Sequence, residues 1–192
     1  MRSKQLLAIV CLIGVWVGVA HSQTPAPPPL SPADKQIAEA FEKRAKDYVK
    51  MREALEEKMP TLSKDAKPEE IQTHKQQFQE RVRAARLTAK RGDVFTPDSA
   101  TLIRAIIKDE FKGKERAELR HTVLSESENK AVPLRVNYPY PESQELLEMP
   151  PTLLLRLPQL PKQLRFRFVR NNLLLVDREN GLIVDYMTNA LP

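Results

Sequence analysis

The sequence predicts an α+β protein: N-terminal helices, an antiparallel hairpin plus one or two further helices, then a Pro/Leu-rich segment and a C-terminal three-stranded antiparallel meander. Three observations predict it. Apolar residues recur at spacings of three and four from Ile37 to Phe111, the period of a helix with one buried face. Seven prolines between Pro133 and Pro161 forbid a long helix there. The last thirty or so residues, LRFRFVR, LLLVD and LIVDYM, are β-rich runs separated by Asn171-Asn172 and by Arg178 to Gly181.

The chain of 192 residues opens with Arg2 and Lys4, then an apolar run from Leu6 to Ala20. Small residues at Ala20 and Ser22 are spaced for cleavage before Gln23, so residues 1–22 read as a secretory signal peptide. The apolar run stops short of the roughly 20 residues a membrane span needs. Periplasmic or secreted placement is therefore expected, with no transmembrane segment in the mature chain. The single Cys11 lies inside the apolar run, which leaves a mature chain without cysteine. Stability must then come from packing alone.

Residues 23–31 belong to an uncharged stretch, QTPAPPPLSP, whose five prolines make an extended tether. Residues 32–91 read as a helical hairpin. Ser31-Pro32 supplies an N-cap and a first-position proline, and Ile37, Phe41, Ala45, Tyr48, Met51, Leu55 and Met59 form one apolar stripe before Pro60. Pro68-Glu69-Glu70 opens a second helix with the stripe Ile71, His74, Phe78, Val82, Ala85 and Ala89, stopped by Gly92. Residues 92–192 hold the rest. Thr96-Pro97-Asp98 caps a third helix with Ala100, Ile103, Ile106, Ile107 and Phe111 on one face, and residues 114–127 are expected to continue as a fourth. Leu134 to Tyr140 reads as extended and Pro151 to Leu157 as a short helical turn. The leucines from Leu153 to Leu164 are expected to cover the meander together with the third helix.

In the meander, two tight turns would align Phe168, Leu175 and Val184 in one cross-strand row. Leu164, Phe166, Phe168, Leu173, Leu175, Leu182, Val184 and Tyr186 then share the core face. Arg165, Arg167, Val169, Leu174, Val176, Ile183, Asp185 and Met187 take the other. A slip of one residue would drive both arginines into the core, so the pattern specifies its own register.

The ending from Pro150 to Pro192, with GDVFTP at Gly92 to Pro97 and VPLRVNYPYP at Val132 to Pro141, resembles a group of uncharacterised exported bacterial proteins. RFRFVRNNLLLVDRENGLIVD resembles the C-terminal hairpin of the RcnB type of periplasmic nickel and cobalt homeostasis proteins. The second resemblance implies a role in metal stress. Beyond the leader the chain holds only His74 and His121, so no functional residue is carried over.

Charge and residue usage narrow the chemistry. Without Arg2 and Lys4, 29 basic residues face 25 acidic ones, a net charge of +4; the stretch from Thr152 onward contributes +3 of it, six basic against three acidic. Of five glycines, Gly14 and Gly18 lie in the leader, which leaves no phosphate-cradling loop and no nucleophile elbow. Ser63, Ser99, Ser125, Ser127 and Ser143 fall at caps, loops or polar helix ends, so the chain reads as non-enzymatic. His74, His121 and Asp109 are metal-ligand types without metal-ligand spacing, so neither metal nor cofactor is assigned.

The candidate interaction surface is Arg165, Arg167 and Asp185 on the meander, with Arg83, Arg86 and Lys90 on a flank of the second helix. An exported protein seldom meets nucleic acid, and aromatic interleaving is not evident at these positions. The expected partner is an envelope protein or an anionic cell-wall or lipid surface. The expected role is an envelope interaction or scaffold module, with a periplasmic stress protein, metal-linked or a small helical chaperone, as the alternative.

Overall fold

The structure is a computed structural model that describes residues 29–112, 133–140 and 149–192. The expected leader, most of the expected tether, the fourth helix expected over 114–127 and His121 lie outside the described residues. Within them, the N-terminal part is helical and the C-terminal part is a three-stranded antiparallel sheet. The elements are α1 (Pro32–Glu56), α2 (Pro68–Ala85), α3 (Pro97–Glu110), the one-turn α4 (Pro151–Leu154), β1 (Leu164–Val169), β2 (Asn172–Asp177) and β3 (Ile183–Met187).

Each long helix starts at a proline in its first turn, as the sequence signals required. The Ser31 hydroxyl accepts from the Asp34 amide at 3.1 Å, and the Glu70 carboxylate reaches back to the Lys67 amide at 2.8 Å. Helices α1 and α2 run antiparallel: Arg52 of α1 lies over the Phe78 ring, whereas Tyr48, one turn earlier, lies beside Arg86 past the end of α2. The α2 stripe is buried only at Phe78 and Val82, and Ile71 is 50% exposed. That helix stops at Ala85, short of the expected Gly92.

The reason lies outside the helix. The Asn137 side chain donates to the Arg86 carbonyl at 2.7 Å, and the Arg86 guanidinium donates to the Asn137 side-chain oxygen at 2.6 Å and to the Val184 carbonyl at 3.1 Å. A residue expected on an exposed flank is thus turned inward and ends the helix.

The main core joins all three long helices to one face of the sheet. Phe41, Phe95 and Phe166 cluster with ring centroids 5.3 to 6.4 Å apart, and Phe111 meets Phe168 edge-on at 6.5 Å. Met149, Leu153 and Leu157 close this core, each buried, at roughly 2 kcal/mol apiece. Leu154 and Leu155, also expected to pack, are exposed by 43% and 76%.

The faces of the meander follow expectation more closely than its rows. The first turn is Arg170-Asn171 rather than Asn171-Asn172: Val169 pairs with Asn172, and Arg170 takes φ 51° as a two-residue hairpin of the II′ kind demands. Moving the turn centre by one residue shifts every pair by two, so Phe168 faces Leu173 and Phe166 faces Leu175. The parity of each side chain survives, but the row of Phe168, Leu175 and Val184 does not form. In β3, Val184 is an extra residue, with Val176 opposite Ile183 and Leu175 opposite Asp185. Beyond this bulge the alternation reverses, so Met187 joins the core and Tyr186 packs on the opposite side.

Much of that opposite side is buried as well. Val169, Leu174, Val176 and Ile183 form a second buried cluster against Leu134, Tyr140 and Tyr186. The segment that supplies Leu134 and Tyr140 lies along the β3 edge, where the Asn137 amide donates to Ile183 and the Ile183 amide to Tyr138 at 2.8 and 3.0 Å. It covers one edge of the sheet and seats Asn137 under the end of α2.

Candidate anion-binding hollow

Where α2 ends and residues 134–138 cross it, the surface opens into a hollow of about 480 Å³. Its walls carry five cations, Arg83, Arg86, Lys90, Arg91 and Arg135, together with Tyr138 and Tyr186, and the exposed Leu87 stands at its rim. Among the described residues no carboxylate lines it. The early stop of α2 builds this concavity. Had the helix continued to Gly92, Lys90 and Arg91 would lie one turn farther along a straight rod instead of folding back beside Arg83.

Two guanidinium groups share the Tyr138 ring, Arg135 at 4.1 Å and Arg83 at 4.5 Å from its centroid. Arg91 stands 5.7 Å from the Tyr186 ring. Stacking on tyrosine satisfies the flat faces of these guanidinium groups and leaves their N–H edges, which suit the two oxygens of a carboxylate or phosphate. Arg86 differs. Burial pulls it below the ordinary guanidinium value, with Tyr48, Asp185 and Asp93 pulling the other way. Its donors already serve Asn137 and Val184, so it forms the floor.

The other predicted site residues are separated from this hollow. Arg165 and Arg167 line a smaller groove of about 190 Å³ beside Lys162, Arg178 and Leu154, along β1. Asp185, expected on an interaction face, is wholly buried. Its Oδ2 accepts from the Val94 and Phe95 amides, both at 2.8 Å, and its Oδ1 from the Gly92 and Tyr186 amides at 3.0 and 2.8 Å. The bulge at Val184 reverses the alternation and turns this carboxylate into the Gly92 to Phe95 loop. Asp185 is an internal anchor, not a contact residue.

His74 is half-buried, its Nε2 3.1 Å from the Pro60 carbonyl oxygen. Asp109 pairs with Lys112 at 2.8 Å and with Arg156, an α3-to-α4 clamp. Among the described residues no three His, Cys, Asp or Glu side chains gather as metal ligands would.

Sequence reasoning missed Arg135, Tyr138 and Tyr186. Nothing in their local spacing ties them to Arg83, since Arg135 lies 52 positions away in a proline-rich strap. It also missed the buried network of Arg52. The Arg52 guanidinium pairs with Asp177 at 3.0 Å, with Glu56 at 3.1 Å and with Glu179, while the Tyr48 hydroxyl donates to Asp177 at 2.8 Å. A signal was present: Arg52 follows Tyr48 by four, inside the apolar stripe of α1.

Comparison with known protein families, curated proteins and solved structures finds no match to this chain.

Proposed function

We propose that this protein is an exported, non-enzymatic binding module that holds an anionic component of the cell envelope in the hollow at the end of α2. One observation carries the reading: five cations and two tyrosines converge on a concave surface that no described carboxylate lines. Such cations repel one another, at a cost that a bound anion removes. Arg83 and Arg135 are held by stacking on the Tyr138 ring, with no ion pair among the described residues, so a ligand there need not displace a described partner. The reading also draws support from the N-terminal pattern of a leader and a tether, which fits a domain outside the cytoplasm.

Titration calorimetry with inorganic polyphosphate as a soluble probe tests this. Saturable binding is expected for the unaltered chain, weakening steeply with salt. Binding should be lost in Arg83→Gln with Arg135→Gln and kept in Arg165→Gln with Arg167→Gln. Equal binding by the unaltered chain and the Arg83/Arg135 variant would overturn the assignment.

A further inference from the structure

Leu87 is the most exposed large apolar residue among those described, at 86%, and it stands on the rim of the hollow among cations. It belongs to the turn that follows α2, flanked in sequence by Arg86 and, three residues on, by Lys90-Arg91. A soluble anion offers such a leucine nothing. A bilayer of anionic lipid offers both halves of what this surface lacks: phosphate for the guanidinium edges, and the acyl boundary just beneath it for an apolar side chain.

We infer that the hollow is a membrane-docking site, in which Arg83, Arg91 and Arg135 receive the phosphates of anionic phospholipid headgroups while Leu87 inserts at the headgroup–acyl boundary. This rests on the anion-binding reading above and names its ligand. The tyrosines fit the same setting, since their rings combine an apolar body with a polar tip suited to the interface. Among the described residues no helix is long and apolar enough to cross a membrane. Recognition by three arginines and one leucine is weak for a single headgroup. It gains from a fluid surface, where several headgroups can be gathered at once.

Cosedimentation with vesicles tests it, comparing phosphatidylglycerol mixed into phosphatidylcholine with phosphatidylcholine alone. Every variant carries the same N-terminal residues, so differences between variants report the hollow. The unaltered chain should bind the anionic vesicles only. Arg83→Gln and Arg135→Gln should each weaken binding roughly fivefold, about 1 kcal/mol per cation near a charged surface.

Leu87→Ser should weaken vesicle binding by roughly tenfold or more, leave thermal unfolding unchanged, and leave binding of soluble polyphosphate unaltered. That last pair separates the two ideas. If Leu87→Ser binds vesicles as well as the unaltered chain, or if polyphosphate binds through the arginines while vesicles do not, the lipid inference fails and the anion-binding reading stands. If neither probe binds, both fall.

Discussion

Asp185 and Arg52 show how one charged side chain can be committed to structure. Burial pushes the Asp185 carboxyl above the usual carboxylate value, and the amides of Gly92, Phe95, Val94 and Tyr186 pull it back without cancelling the rise. Because the folded value lies above the unfolded one, the stability this group contributes is fully present below the unfolded pKa. It declines as pH rises through the folded value. Asp185→Asn should therefore abolish that decline above about pH 4. The asparagine NH₂ would also face amide donors that now have an oxygen acceptor, which should cost about 3 kcal/mol in urea unfolding at pH 7. A variant as stable as the unaltered chain would mean that the Gly92 to Phe95 loop does not depend on its anion. No local pattern announces this role. By alternation alone Asp185 belongs to the outer face, and only the extra residue at Val184 turns it inward.

The elements were legible to differing degrees, according to whether their determinants are local. Prolines and caps start α1, α2 and α3 where the sequence placed them, since a missing N–H and a hydroxyl acceptor act within one turn. The end of α2 was not legible, because Asn137 and Val184 decide it from across the molecule. The clamp between α3 and α4 yields a prediction of its own. Lys112, and after it Arg156, holds the Asp109 carboxyl down at about 2. Here the folded value lies below the unfolded one, so the stabilisation is present above about pH 4 and is lost as pH falls toward 2. In acid titrations followed by circular dichroism, Asp109→Asn should flatten the loss between those limits. Equal slopes would show that the clamp contributes no stability, an outcome consistent with its exposure to solvent.

The molecule as a whole is tied together by two devices near the start of β3. The Asn137 strap joins the end of α2 to the β3 edge, and the Arg52 network joins α1 to the turn between β2 and β3. Arg52 is 2% exposed and Asp177 is fully buried, so removal of the arginine strands a buried carboxylate. Arg52→Met should cost about 3 kcal/mol and Tyr48→Phe about 2 kcal/mol, the loss of one hydrogen bond to a charged acceptor. If the two act through the same Asp177, the double variant should lose less than the sum. Additive losses in a double-mutant cycle would break the proposed coupling.

The linear order of residues was enough to determine where α1, α2 and α3 begin, that the C-terminal part is an antiparallel meander, and which residues occupy its core face up to Val184. Those properties follow from period, proline and parity, which act over a few residues. Tertiary structure decided the rest: the turn at Arg170-Asn171, the bulge that buries Asp185, the early end of α2, and the meeting of Arg83 with Arg135 and Tyr138. Each depends on a partner distant in sequence, such as the Asn137 amide that closes a helix 51 residues before it. Periodicity carries no information about such a partner until the chain has folded.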